Sequence, residues 1–313
     1  MYWKYAGTQY KSKFTAVQAA GRDFQNITFH TFDESINNFN YSIEPQESLE
    51  FLMAERAREI RENYNYIKFF FSGGSDSTTI INQFIKNKIF IDEIIVFRFS
   101  YLNNFDENSN AEVNNYTIPW LKNNKLDKTK ISIHDWGNDY FSSIIKKSNW
   151  FETKNTLGLR ETVLPNIRGK NFCNLFAGET PPVVCKNNKY FAQIWDGDNY
   201  GEYARFRNVE GFFFSPKLIA KQAHILKKIL IKNKLMSSDK SLVREYLRDE
   251  AVVKNQFFKN SSQTAITYDK EILFLKAADT YLRDFFKYIL STKINGTPVI
   301  RLNLGYKLLD VEI

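Results

Sequence analysis

Tyr66-Ile67-Lys68-Phe69-Phe70-Phe71-Ser72-Gly73-Gly74-Ser75-Asp76-Ser77-Thr78 is the stretch on which the reading of this chain turns. Its first six residues form a short, mostly apolar run, as expected of a strand buried on both faces. Two adjacent glycines then interrupt it. They permit positive φ and let the backbone approach another group closely. From Thr78 to about Lys86 the apolar residues Ile80, Ile81, Phe84 and Ile85 recur at helical spacing. Strand, glycine turn and helix thus follow one another without a spacer.

Similar units flank this one. Upstream, Ile27-Thr28-Phe29-His30-Thr31-Phe32 alternates like a half-buried strand, and Ser48 opens a helix carried by Leu49, Leu52, Met53, Ala57 and Ile60. Downstream, Ile91 to Phe99 predicts a second central strand, Tyr116 to Asn123 a helix, Lys130 to His134 a third strand and Asn171 to Ala177 a fourth. Strands alternating with helices imply an α/β domain with a parallel sheet sandwiched by helices. Its expected span is 65–235, after a lead-in of strand plus helix over 1–64. The helical patterns at Leu242–Val253 and Lys270–Ile289 predict a mainly helical subdomain over 236–313.

Composition narrows the function classes. The chain has 313 residues, 43% hydrophobic and 25% charged, as a globular protein with a full core does. Its net charge of +8 suits phosphate-rich partners, a nucleotide or a nucleic acid, although dispersed lysines also serve solubility. Two cysteines without a CxxC pair and three histidines cannot build a zinc site, and they fit a reducing cytoplasm better than a disulfide framework. The first residues contain no apolar core of a secretion signal, and no apolar run reaches the ~18 residues of a membrane span. The oligomeric state is left open, a homodimer included.

The glycine turn suggests chemistry. A helix that starts just after it aims free N–H groups and a positive dipole end at one spot, which favours an anion. Ser72, Ser75, Ser77 and Thr78 add hydroxyls. Asp76 is a poor phosphate ligand and a good Mg²⁺ ligand. The turn is not a Walker A loop, which needs GxxxxGK[ST], and it contains no GxGxxG. A Gly-Ser turn that merely caps a helix is the bland alternative.

Ser72-Gly73-Gly74-Ser75-Asp76-Ser77 resembles the SGGxDS PP-loop of the N-type ATP pyrophosphatases, or adenine nucleotide alpha hydrolases. Ser72, Gly73, Gly74, Asp76 and Ser77 stand at the fixed positions and Ser75 at the variable one. The family includes asparagine synthetase, GMP synthetase, NAD synthetase, PAPS reductase and tRNA-thiolating enzymes. The resemblance implies a Rossmann-like domain of HUP type and the cofactors ATP and Mg²⁺. It also implies cleavage of ATP to AMP and pyrophosphate while an acceptor is adenylated for amide, amine or sulfur transfer. The helix with Arg56, Ala57, Arg58, Ile60 and Arg61 leading into the loop strand is similar to asparagine-synthetase-like and PAPS-reductase-like proteins of tailed phages, which would place the chain in a host cytoplasm.

Within that resemblance the adenine packs at the end of the second strand, which makes Phe97 and Phe99 candidate stacking partners and Arg98 a candidate phosphate or substrate contact. Gly178-Glu179 is similar to a shortened second acidic loop beside the pyrophosphate. Lys217, at the start of the helix with Leu218, Ile219, Ala223 and Leu226, could reach a phosphate; a solvated basic face is the alternative. The expected catalytic residues are Asp76, Glu179 and Lys217, and the expected ATP-binding ones Ser72, Gly73, Gly74, Ser75, Ser77, Thr78, Phe97, Arg98, Phe99 and Gly178. His134-Asp135 could serve acid–base work or be structural, and Asp196-Gly197-Asp198 reads as a turn. Two departures are informative. Tyr2 stands where glutamine-dependent synthetases carry a nucleophilic cysteine, and the cysteine motif of sulfonucleotide reductases is missing. A nucleotide-binding or nucleic-acid-binding module without catalysis is the competing function.

Overall fold

The computed structural model describes residues 2–10, 13–30, 34–100, 113–124, 126, 128–137, 171–177, 183–186, 188–193, 209–236, 293–294, 297–298 and 306–311. Five parallel strands form the central sheet: β4 (Tyr66–Phe70), β5 (Glu93–Ser100), β6 (Lys130–Gly137), β7 (Phe172–Phe176) and β10 (Val209–Gly211). Their spatial order is β10-β7-β4-β5-β6. The chain therefore starts in the middle at β4, moves outward to β6, and returns to the other side of β4 with β7 and β10. That is the Rossmann-like order, in which the direction of winding reverses next to the first strand.

Alternation along the strands assigns the two faces of this α/β sheet. Ile67, Phe69, Phe71, Ile94, Val96, Cys173 and Leu175 belong to one large core. Helices α3 (Leu49–Asn63), α4 (Ser75–Lys86), α5 (Ile118–Asn123) and α6 (Pro216–Asn233) contribute to the same core through Leu52, Met53, Ile60, Ile80, Ile81, Phe84, Leu121, Leu218, Ile219 and Leu226. The short α2 (Glu34–Asn37) adds Ile36. Helix α3 starts where the sequence predicts, with the Ser48 hydroxyl accepting from the Phe51 amide at 3.1 Å. Among the described residues the helical layer covers this face. No described helix joins the buried cluster on the other face.

The opposite face carries two rows. Toward the strand ends lie Phe176, Phe70, Phe97 and His134, one from each of four neighbouring strands. Phe70 stacks on Phe176 at 4.1 Å and on Phe97 at 5.6 Å, and Phe97 lies 6.1 Å from the His134 ring. Below them is a polar row centred on Glu93, which accepts from Ser132 Oγ at 2.6 Å and Tyr66 Oη at 3.2 Å. Lys130 and the buried Lys68 lie 3.0 and 3.6 Å from the same carboxylate. Burial pushes the Glu93 carboxyl up, but the Ser132 hydroxyl and the two ammonium groups outweigh it and hold it below its usual range. Glu93 also pushes the Tyr66 phenol, already raised by burial, up to about 12.

A depressed carboxyl stabilises the fold above its unfolded pKa of ~4.3, and the contribution disappears as pH falls through the lower folded value. The melting temperature is thus expected to decline below about pH 4.5, with a shallower decline in Glu93→Gln. Calorimetric melts from pH 7 to pH 3 check this, and equal slopes in the two proteins would contradict it.

The smaller sheets are antiparallel. β1 (Tyr2–Tyr5), β2 (Thr8–Tyr10) and β3 (Thr28–His30) form one in the order β2-β1-β3. With α1 (Lys13–Ala20) they bury Trp3, Ala16, Val17, Ala20 and Ile27 in a separate core. The lead-in thus holds a hairpin and a helix besides the single strand expected. A second sheet joins β8 (Val183–Lys186) and β9 (Lys189–Gln193) to β13 (Tyr306–Leu309), in the order β13-β9-β8, and β11 (Lys293–Ile294) pairs with β12 (Thr297–Pro298). Leu309 and Val311 enter the main core. The helices expected at 242–253 and 270–289 lie outside the described residues, as does the Asp196-Gly197-Asp198 turn. No described helix is long and apolar enough to cross a membrane.

Candidate functional site

The winding of the sheet reverses between β4 and β7, and α/β proteins bind ligands outside the carboxyl ends of the strands at such a point. The turn Phe71–Gly74 leaves β4 there and enters α4 at Ser75. Gly74 is the N-cap residue in extended conformation, so the first amides of α4 have no side-chain cap. Gly73 sits at φ +80°, a conformation that an L side chain adopts only with strain.

Three carbonyls of the turn are held by hydroxyls. Thr117 Oγ1 donates to Ser72 O at 2.8 Å, Thr78 Oγ1 to Gly73 O at 3.4 Å, and Ser77 Oγ to Gly74 O at 3.1 Å. The Thr78 amide also donates to Gly74 O at 3.0 Å, closing the first helical turn. In a planar trans peptide the N–H lies opposite the C=O. Tying these carbonyls into the protein therefore turns the amides of Gly73, Gly74 and Ser75 the other way. The Gly74 amide bonds the Ser72 hydroxyl at 3.3 Å, and Ser72 Oγ lies 3.1 Å from Ser77 Oγ. Ser77 and Thr78 are thus buried braces of the loop, while Ser72 is exposed and Asp76 half-buried in the first turn of α4.

The remaining candidates are distributed as follows. Phe97 is half-buried, its ring engaged between Phe70 and His134. Arg98 follows it in β5, half-buried, paired in register with Asp135 of β6. Phe99 is in β5, and its side chain lies outside the described ones. Gly178 and Glu179 are also outside the described residues. Lys217 is in the first turn of α6, which starts at the same sheet edge after β10, two strands from the loop and so about 10 Å away laterally. Its ammonium lies 3.2 Å from Glu47, directed at the segment before α3. Lys221 and Lys228 both lie 2.8 Å from Glu44 in the same segment. His224 Nε2 lies 3.0 Å from Tyr41 O in the core, a packing position.

Both cysteines are buried, and neither is in a disulfide. Burial and the Glu210 carboxylate raise the Cys173 thiol well above its ordinary value, and burial raises Cys185. Neither offers a thiolate at neutral pH.

One residue of the site has no signal in the sequence, Thr117. It is fully buried, ends the π-helical segment Val113–Thr117 and precedes Ile118-Pro119 of α5. No protein-family model matches the chain, and no curated protein matches it at a significant level.

Proposed function

We propose that the chain binds ATP through residues 72–78 and cleaves it to AMP and pyrophosphate while adenylating an acceptor. The observation that supports this best is the arrangement of the loop. At the reversal of the sheet, beside the uncapped end of α4, three consecutive carbonyls are held by hydroxyls, so their peptide amides turn away from those donors, the Gly74 amide onto the exposed Ser72 hydroxyl. Such an edge suits a chain of phosphates, because oriented amides and the helix dipole favour negative charge without reorganising. On this reading the domain is of HUP type and the loop is the PP-loop of the N-type ATP pyrophosphatases.

The chemistry this arrangement suits is displacement at the α-phosphorus. An acceptor oxygen forms a new P–O bond, the bond to the α,β-bridging oxygen breaks, and pyrophosphate leaves with its charge held at the amide edge. Asp76 fits a Mg²⁺ ligand, since this ion commonly takes one or two carboxylates and completes its shell with water and substrate phosphates. When bound, Mg²⁺ would neutralise charge on the phosphates. The +8 net charge favours a phosphate-bearing acceptor, a nucleotide or a nucleic acid.

The test is incubation with ATP, Mg²⁺ and separate pools of nucleic acid, nucleotides and amino acids, followed by measurement of pyrophosphate, AMP and adenylated product. Acceptor-dependent pyrophosphate release is expected, with Asp76→Ala reducing its rate by about 10²-fold or more. Formation of ADP would overturn the proposal. Binding without turnover in every pool would favour the catalytically silent module.

A further inference from the structure

We propose that Thr117 is a positioning residue of the phosphate loop, setting the Ser72–Gly73 peptide in the orientation that phosphate binding requires. This rests on the ATP reading above and goes beyond the loop's own sequence. Three observations carry it.

The first is contact. A Cβ built on Gly73 would lie 2.0 Å from Thr117 Oγ1, 3.0 Å from its Cβ and 3.2 Å from its Cα. The glycine backbone is thus pressed against Thr117 at a distance that no other residue type tolerates. The second is the 2.8 Å hydrogen bond from the Thr117 hydroxyl to Ser72 O. Of the three carbonyls held in the turn, this one alone is bonded from outside the loop and its helix. Ser77 and Thr78 hold the other two from α4 itself. The third is rigidity. Thr117 is fully buried, and Trp120, on the next turn, packs its ring 5.1 Å from Phe71, the residue before Ser72. The start of α5 therefore grips the chain on both sides of Ser72.

The consequence is directional. Without the hydroxyl, Ser72 O loses its donor and the Ser72–Gly73 peptide can rotate. The Gly73 amide would then leave the edge that the proposed pyrophosphate group meets. The adenosine part of a nucleotide would not sense this change, because it makes no use of that peptide. Thr117→Val keeps the shape and deletes the donor, whereas Thr117→Ser keeps the donor.

The experiment measures ATP and adenosine binding by calorimetry in wild type, Thr117→Val and Thr117→Ser, with melting temperature and amide hydrogen exchange at residues 73–75 followed in parallel. Thr117→Val should bind ATP about tenfold more weakly or worse and exchange these amides about tenfold faster, with adenosine affinity unchanged. Thr117→Ser should stay within about threefold of wild type in ATP affinity and in exchange. Wild-type ATP affinity in Thr117→Val, or equal losses for ATP and adenosine, would overturn the role. If wild type binds no ATP, the functional reading fails. The exchange data then decide separately whether Thr117 holds the loop, and unchanged exchange in Thr117→Val would end that claim too.

Discussion

Gly73→Ala is expected to abolish measurable ATP binding and to destabilise the protein by about 2–5 kcal/mol. Two costs combine. An L residue at φ +80° pays left-handed strain of roughly 1–2 kcal/mol. Its Cβ would also stand 2.0 Å from Thr117 Oγ1, against an ordinary contact of 3.4 Å or more. Rotating the Thr117 side chain would break its bond to Ser72 O, and it would still leave the Thr117 Cβ and Cα at 3.0 and 3.2 Å, closer than an ordinary contact. The loop must therefore move, and overpacking of a rigid site adds roughly 1–3 kcal/mol. The displaced peptide is the one whose amide faces the proposed phosphates, so function should fall further than stability. In the double variant Gly73→Ala/Thr117→Ala part of the steric cost is relieved, while the φ strain and the lost hydroxyl remain. Its stability should exceed that of Gly73→Ala, giving a favourable coupling, and ATP binding should not return. Urea denaturation with calorimetric titration checks both. A Gly73→Ala protein that bound ATP like wild type would remove the loop from the site.

Much of this arrangement is legible in the amino-acid sequence itself. The β4–loop–α4 unit reads directly because all its signals are local: an apolar run, two glycines and a helical period. Strands β5, β6 and β7 are found for the same reason. Helix α5 starts two residues later than its apolar pattern suggests, after a π-helical segment. Pro119 has no amide to return to the carbonyl four residues back, which disturbs the α pattern at that point. The hairpin β8–β9 and the N-terminal strands β1 and β2 are short, and their few residues carry too little alternation to register. Contacts across long sequence separations are also not legible. Thr117 meets Ser72 across 45 residues, and nothing local in Tyr116-Thr117-Ile118 distinguishes a loop-holding threonine from a helix-opening one. Lys217 shows the converse limit. Its place at a helix start is readable, but its pairing with Glu47, 170 residues away, is not.

Arg56→Ala is expected to be the most destabilising single change outside the loop, costing about 3–5 kcal/mol. Sequence shows Arg56 only as one of several arginines on α3, yet it is buried while its neighbour Arg58 is exposed. Its guanidinium lies 2.6 Å from Glu210 Oε2 and 2.9 Å from Glu59, and its Nε donates to Phe212 O at 3.3 Å. Tyr64 Oη donates to the other Glu210 oxygen at 2.7 Å. Burial raises the Tyr64 phenol and the Glu210 charge raises it further, so it remains a donor across the working pH range. Together these bonds fasten α3 to the end of β10, the point from which the chain enters α6 and Lys217. Removing the arginine leaves the Glu210 carboxylate with the Tyr64 hydroxyl and without its cation, which accounts for most of the cost. Removing both charges should therefore cost less than the sum of the parts. Arg56→Met/Glu210→Leu is expected to recover at least half of the stability lost in Arg56→Ala, as paired charges replaced by apolar groups of similar size often do. Chemical denaturation of the single and double variants measures the coupling. Strict additivity would mean that the pair is not the source of the loss, and that Arg56 acts through the packing of its methylene stem against the core.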